Sequence, residues 1–553
     1  MYSAEPLSHF VDEYLAFLHE AHPTSATFDG VHVHDDLLED YRRSAIDERV
    51  RDLGAFGRRL ASIDEAGLTP IERIERPLVA DDIRARVYEL EEIRTWKRSP
   101  QLYGELLSTS LASQALFPYA PIAERARRVL SKLRQAPRLL QTARENIEDP
   151  PGLFVKIGLE TLRGALRFIE DDLPRALADL DDLRLLSDLA DASTDAADAL
   201  KGYIVHLESD VAPRARGSFR LGRERFEGKL RFEEGLTIGS ERLLDIALRE
   251  LRATQESFRR EASRLNGGDP LGAWQRMKTK HPPEGALVSA ARDQVDELFE
   301  FISRNGLVSI PQGEAVVVAS TPRFYRWTFA SMWTPGPFEA KPMRAYYYVT
   351  DVDPGWSAER KEEHLRDFNY GALWSISMHE VYPGHFLHYQ HLRQVTSKPR
   401  KSILFASASF VEGWAHYCEQ MIVEAGFRRH DPMVRLGQLA EALIRLCRFV
   451  VGIRLHTGDL SVEQGVRFFR DEAFMEEGSA RREAERGAFD PSYVVYSVGK
   501  LMLLKLREDY KALQTGKFSL KTFHDRLLAN GHMTFPLHRR LMLGEADRGA
   551  VLE

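Results

Sequence analysis

The chain has 553 residues, of which 43% are hydrophobic and 29% charged, a composition typical of a folded globular protein. Its formal net charge of −7 argues against a nucleic-acid binder that relies on positive charge. Only two cysteines occur, Cys418 and Cys447, which excludes a disulfide framework and a cysteine-based zinc site. The amino terminus lacks the pattern of a secretory signal, and no stretch is apolar enough for a membrane span. We therefore expect a cytoplasmic protein without nucleic-acid or membrane partners.

Helical periodicity dominates the chain. Apolar residues recur every three to four positions over Ile122–Ala136, Leu162–Leu173 and Leu243–Leu265. One region breaks the pattern, because Ala315–Ser320 and Arg344–Thr350 are rich in β-branched and aromatic residues, which predicts a small sheet of two or three strands. We predict a mainly α fold in one domain over residues 1–553, with an amino-terminal helical part to about residue 280 and a second part from about residue 281.

The sequence His-Glu-Val-Tyr-Pro-Gly-His at 379–385 follows a predicted helix over Tyr370–Met378. In zinc peptidases, His-Glu-x-x-His on one helix places two imidazoles on the metal and a glutamate beside it as general base. Here Pro383 stands where the second histidine is expected, and on a regular helix His379 and His385 would point about 120° apart. A kink or bulge at Pro383-Gly384 would bring His385 to the required position. A helix with capping or core histidines is the alternative.

A third metal ligand is expected on a later helix. Residues 411–420 read Val-Glu-Gly-Trp-Ala-His-Tyr-Cys-Glu-Gln, and Glu412, His416 and Glu419 share one face of the predicted helix. One large class of zinc peptidases takes its third ligand from a glutamate on a following helix, so Glu412 is the candidate, with His416 or Glu419 behind it. A solvated charged stripe is the alternative, although Trp414 and Tyr417 argue against full exposure.

A further candidate segment runs from Asp490 into a predicted helix that continues through Arg507. Tyr496 and Arg507 fall on one face of this helix. The tyrosine could donate a hydrogen bond to a tetrahedral oxyanion. The arginine could clamp a carboxylate, although it lies about 16 Å along the helix from Tyr496. Leu503 shares the face, so core packing with a capping arginine is the alternative.

Together these segments resemble the bacterial domain of unknown function 885 family. The matching pieces are Ala-His-Pro-Thr-Ser-Ala-Thr-Phe-Asp-Gly at 21–30, the 379–385 motif, Glu-Gly-Trp-Ala-His-Tyr at 412–417, Tyr-Ser-Val-Gly at 496–499 and Leu506-Arg507. Their spread implies that nearly the whole chain belongs to the family. The family in turn resembles the helical zinc metallocarboxypeptidases of the carboxypeptidase Taq class. That resemblance implies a two-lobed helical body around a groove. The small sheet predicted from the composition would lie beside the active-site helix.

The resemblance also implies a set of roles. His379, His385 and Glu412 would hold one Zn²⁺ per chain, and Glu380 would be the general base. The implied activity is hydrolysis of a peptide or small amide substrate by a metal-activated water, as in a carboxypeptidase, with Tyr496 stabilising the oxyanion.

Substrate binding is expected on the predicted sheet and on the last helix of the motif set. Tyr347 and Tyr348, on the second predicted strand, would hold an extended peptide by strand addition, and Arg507 would bind its carboxylate. Ordinary strand packing is the alternative for the two tyrosines.

Two other functions remain alternatives. The protein could be a catalytically degenerate metal- or ligand-binding protein of the same fold, or a hydrolase of a non-peptide amide or ester. The presence of Glu380 beside a complete ligand set favours hydrolysis over binding alone. The roles of two further histidines stay open: His388, which offers an alternative metal ligand, and His416. Whether the protein forms a homodimer also stays open.

Overall fold

The structure, a computed structural model, describes residues 6–266, 269–322, 326, 329–341, 343–514, 516–549 and 551–552. These residues form a mainly α fold with one small sheet, which confirms the predicted fold class. No helix in the described ranges is long and apolar enough to cross a membrane.

The first part of the chain builds two helical cores. One core unites α1, α3 and α4, and the other unites α6, α7, α8 and α10, where apolar stripes at helical spacing face each other. The helices are α1 (Leu7–Ala21), α2 (Pro23–Asp29), α3 (Arg43–Ser62), α4 (Glu72–Tyr88), α5 (Thr95–Arg98), α6 (Gln101–Leu116), α7 (Ile122–Asn146), α8 (Gly152–Arg167), α9 (Leu173–Ala176) and α10 (Leu183–His206).

The second part shares one large core. Before the sheet come α11 (Arg223–Glu234), α12 (Ser240–Asn266), α13 (Pro270–Lys278) and α14 (Leu287–Asn305). After it come α15 (Ala358–Asp367), α16 (Tyr370–Glu380), α17 (His385–Leu392), α18 (Lys398–Lys401), α19 (Ala408–Glu424), α20 (Pro432–Thr457), α21 (Val462–Ala473), α22 (Glu477–Phe489), α23 (Val495–Leu513), α24 (Leu520–Ala529) and α25 (Phe535–Leu543). In this packing, residues 223–280 belong with the later helices, whereas Trp333 and Tyr348 of the sheet belong to the core of α6, α7, α8 and α10.

The sheet has three strands, β1 (Val316–Ser320), β2 (Ala330–Trp333) and β3 (Ala345–Val349). Their order is β1-β3-β2, with β3 parallel to β1 and antiparallel to β2. The two predicted strands are confirmed as β1 and β3. The short strand β2 lies between them in sequence and packs against α16.

Glycines allow the four helices that carry the candidate site to approach closely. A Cβ on Gly437 of α20 would lie 2.1 Å from the carbonyl carbon of Gly371 on α16, nearer than any side chain could be tolerated. A Cβ on Gly413 of α19 would lie 2.5 Å from the carbonyl carbon of Gly499 on α23. These contacts hold α16 against α20 and α19 against α23, and so bring their side chains together.

Candidate metal site

The two predicted histidine ligands lie on two helices that meet at a turn. Helix α16 ends at Glu380 and α17 begins at His385, so the chain does not form the bulge or kink within one helix that we expected. Pro383 lacks an N–H group and cannot continue α16, and the Tyr382-Pro383 peptide is cis. The turn nevertheless returns His385 to His379, with ring centroids 4.8 Å apart and ring planes at 90°.

Gly384 and Trp414 fix this turn. A Cβ on Gly384 would lie 1.7 Å from the carbonyl oxygen of His379, so only glycine lets the chain pass this close to the end of α16. The indole Nε1 of Trp414, whose side chain is fully buried, donates a hydrogen bond of 2.9 Å to the carbonyl oxygen of Pro383. The position of His385 therefore depends on a tight backbone contact and on a buried tryptophan from α19.

Substitution of Gly384 by alanine is expected to disturb both the fold and the metal site. The added methyl group must displace backbone, so we expect a loss of about 1–3 kcal/mol in the free energy of unfolding together with weaker zinc binding. Urea denaturation and zinc titration measure the two effects. Gly478→Ala on α22 is the matched control, because its Cβ would meet nothing within 4 Å. Equal stability and zinc affinity of the two variants would contradict this description of the turn.

His379, His385 and Glu412 converge on one point. Glu412 Oε2 lies 3.4 Å from His379 Nε2 and 3.6 Å from His385 Nε2, and one ligand atom from each residue falls within 4.8 Å of the others. Ligands about 2.1 Å from a tetrahedral zinc are about 3.4 Å apart, so the spacing fits this ion. Oε2 of Glu412 is buried and has no hydrogen-bond partner in the described part of the chain. Two imidazoles and a carboxylate are also the donor set of catalytic zinc sites.

The site is closed on one side and open on the other. The exposed fraction of the side chain rises from 7% for His379 to 13% for His385 and 24% for Glu412. Burial opposes the charge of Glu412, but the two histidines hold the pKa of this carboxyl well below its ordinary range. The carboxylate is therefore ready to bind a cation, and a fourth ligand could enter from the open side.

Glu419 contacts His379 and not Glu412, although the sequence predicts Glu419 or His416 behind Glu412. Its Oε1 is 2.8 Å from His379 Nδ1 and 3.1 Å from Arg445 Nη2, and its Oε2 accepts a 2.9 Å hydrogen bond from Ser375 Oγ. Burial raises the pKa of Glu419, but the neighbouring Arg445 guanidinium opposes this effect, and the pKa lies well below its ordinary value. A charged Glu419 that accepts a hydrogen bond from Nδ1 leaves the lone pair of Nε2 for a metal.

Replacement of Glu419 by glutamine is expected to lower zinc affinity about 10- to 100-fold, because the ring of His379 loses its charged acceptor. Competition with a chromophoric chelator measures the change. Glu441→Gln is the matched control: Glu441 pairs with the other side of Arg445 at 2.8 Å but does not contact His379. A similar loss of affinity in both variants would assign the effect to Arg445 and not to the orientation of His379.

The two predicted catalytic residues are related to the predicted ligand His379 in different ways. Glu380 is its neighbour in the chain, the last residue of α16, and is partly buried. The ring of Tyr496, at the start of α23, stacks on the ring of His379 with centroids 6.3 Å apart and planes at 19°. Burial and the nearby carboxylate of Glu412 raise the pKa of Tyr496, so its hydroxyl keeps its proton. Tyr496 thus offers a hydrogen-bond donor beside the ring of His379.

Comparison with known proteins places the chain in a family. The model of the family described as "Bacterial protein of unknown function (DUF885)" matches residues 23–542. The chain belongs to the DUF885 family. No curated protein matches its sequence.

Two solved structures are similar to this DUF885 protein over nearly their whole length. One, from Shewanella oneidensis, is described as a "putative lipoprotein of unknown function"; it is 26% identical, with a TM-score of 0.80 over 98% of this chain and 100% of that chain. The other, a "putative lipoprotein" from Colwellia psychrerythraea, is 18% identical, with a TM-score of 0.83 over 98% and 99% of the two chains. The second likeness shows a common fold.

Three residues of this DUF885 protein were predicted to bind substrate, and none of them belongs to the group of converging side chains. They are Tyr347, Tyr348 and Arg507. Tyr347 is fully buried in the core, with its hydroxyl 3.3 Å from Ser377 Oγ, and Tyr348 is 7% exposed. Both belong to β3, whose two edges are already paired, so a peptide cannot add to this strand. Arg507 contacts Tyr417 and Glu424 and caps the packing of α19 on α23. Tyr347 and Tyr348 therefore pack within the sheet, and Arg507 packs between helices, which are the alternatives that the sequence pattern leaves open for these side chains.

His388 and His416 are fully buried and lie outside the group of converging ligands. The ring nitrogens of His388 have no hydrogen-bond partner within the described residues, whereas His416 Nδ1 lies 3.3 Å from Glu419 Oε2. Burial lowers the pKa of both imidazoles well below the ordinary value, so they stay neutral. Sequence reasoning did not find Arg445 and Arg486, which contact Glu419 and Tyr496, because single arginines in helical stretches carry no local motif.

Proposed function

We propose that this DUF885 protein is a zinc-dependent hydrolase, most simply a peptidase of carboxypeptidase type, similar to the carboxypeptidase Taq class. The observation that carries the proposal is the convergence of His379 Nε2, His385 Nε2 and Glu412 Oε2, with Glu380 directly after His379 in the chain. A binding protein needs the ligands, but it does not need a carboxylate beside them. The identity of the metal as zinc rests on the donor set and its spacing.

The roles of the side chains follow from their positions. A Zn²⁺ ion held by His379, His385 and Glu412 supplies Lewis acidity, which lowers the pKa of water in such sites to about 7. Glu380 accepts a proton from the attacking water and passes it to the leaving amine. Tyr496 donates a hydrogen bond to the oxygen on which negative charge develops. Glu419 keeps the ring of His379 in place throughout.

Hydrolysis of matched peptides tests the proposal. The zinc-loaded protein is offered a mixture of N-acetylated peptides with free carboxyl termini and the same mixture as carboxyl-terminal amides, and products are identified by mass spectrometry. We expect release of carboxyl-terminal residues from the acids and little reaction with the amides. Cleavage of both mixtures at internal bonds would replace the carboxypeptidase assignment by an endopeptidase.

The same assay separates the alternatives. Bound zinc without cleavage of any peptide, amide or ester would identify a degenerate binding protein. Cleavage of small esters or non-peptide amides alone would identify a different hydrolase. Either result would overturn the peptidase proposal.

A further inference from the structure

Arg486 is the polar partner of the Tyr496 hydroxyl. Its Nη2 lies 3.4 Å from that oxygen, and its guanidinium carbon lies 5.7 Å from the centre of the tyrosine ring. Nε and Nη2 also bond one oxygen of Asp490, at 3.2 and 3.1 Å, which fixes the guanidinium on α22. The side chain of Arg486 is 35% exposed.

A second arginine, Arg448, lies over the same ring but makes different contacts. The guanidinium carbon of Arg448 is 5.1 Å from the ring centre of Tyr496. Its Nε and Nη2 bond both oxygens of Glu483, at 2.6 and 2.8 Å, and its side chain is only 13% exposed. Arg448 therefore packs on the ring while it is paired with Glu483, whereas Arg486 contacts the hydroxyl of Tyr496 itself.

The direction of the hydrogen bond decides what the tyrosine can do. A guanidinium only donates, so the phenol oxygen accepts from Arg486 and its own proton points elsewhere. In the described part of the chain, no acceptor takes that proton. A hydroxyl that accepts from a cation is also a stronger donor, because hydrogen bonds in a chain polarise one another. The ring itself is stacked on His379, beside the point where the three ligands meet.

We infer that Arg486 is a positioning residue for Tyr496: it holds the phenol against His379 and directs the phenol proton to the oxyanion of the substrate. The inference rests on the proposed function for the reaction, but the contact between the two side chains can be tested without it. Arg486 does not touch the reacting atoms in this arrangement and acts through the tyrosine.

The contact is tested by fluorine NMR of protein labelled with 3-fluorotyrosine. The resonance that disappears in Tyr496→Phe belongs to Tyr496. We expect Arg486→Gln to shift this resonance and Arg482→Gln to leave it unchanged, since Arg482 lies one turn earlier on α22 and bonds Ser479 instead. An unshifted resonance in Arg486→Gln would overturn the inference, whatever the activity of the protein.

The function is tested by a double-mutant cycle on kcat/KM for the best free-acid peptide. Tyr496→Phe should lower kcat/KM about 100-fold. Arg486→Gln should lower it about 10-fold in the wild-type background and hardly at all in the Tyr496→Phe background, because the two residues act as one unit. An equal loss in both backgrounds would show that Arg486 acts without Tyr496 and overturn the inference. A shifted resonance in a protein that hydrolyses nothing would support the contact and contradict only the proposed function.

Discussion

Glu380→Gln is expected to keep its zinc and to lose peptide hydrolysis by a factor of about 10²–10⁴ in kcat. Glu380 is not among the converging ligands, so its replacement leaves the metal site intact. The amide of glutamine has nearly the same shape as the carboxylate, but it cannot accept the proton of the attacking water. Zinc content and kcat, measured on the same preparation, separate the two effects.

The control for this experiment is Glu424→Gln. Glu424 lies on α19 and pairs with Gln420 and Arg507, away from the three ligands. The control should retain nearly full activity and one zinc per chain. Full turnover by Glu380→Gln would remove Glu380 from the mechanism, and loss of zinc from that variant would show that it is a ligand and not a base.

His385→Ala is expected to lose most of its bound zinc, because only His379 and Glu412 would remain to hold the ion. The free energy of unfolding of the metal-free protein should also fall, because the variant loses an imidazole that helps to hold the Glu412 carboxylate in its charged form. Zinc stoichiometry after removal of excess metal, together with urea denaturation of the metal-free protein, tests both expectations.

His388→Ala is the informative comparison for this variant. His388 lies on the same helix three residues later, but its side chain is fully buried and outside the ligand group. We expect it to lose stability through the cavity left by the ring and to retain zinc. The reverse pattern, in which His388→Ala loses zinc and His385→Ala keeps it, would show that α17 presents a different histidine to the metal.

Periodicity and composition predicted the helical fold and two of the three strands. Apolar spacing of three to four residues persists through the long helices, and β-branched and aromatic residues cluster at β1 and β3. Strand β2 has only four residues, Ala330–Trp333, too few for an alternating pattern to appear. Its pairing places β3 in the centre of the sheet, so β3 has no free edge for strand addition, and the side chains of Tyr347 and Tyr348 are buried on its two faces.

The convergence of His379, His385 and Glu412 could be predicted because the residue types and their order in the chain are restrictive. The exact path of the chain between His379 and His385 could not be predicted. A bulge within one helix and a turn between two helices can both bring two histidines six residues apart together. Arg507 and Arg486 show a second limit of prediction from the sequence. Both arginines lie within about ten residues of Tyr496 in the chain, but only the tertiary packing decides that Arg486 reaches the Tyr496 hydroxyl and that Arg507 contacts Tyr417 instead. The cytoplasmic location and the homodimer stay predictions.

Zinc content per chain, measured by plasma mass spectrometry on protein purified without a histidine tag or chelators, tests the central claim most directly. The geometry of His379, His385 and Glu412 predicts about one zinc per chain, lost in His379→Ala. A wild-type protein that takes up no zinc, even after the metal is offered and the excess removed, would contradict the metal site and with it the proposed hydrolase.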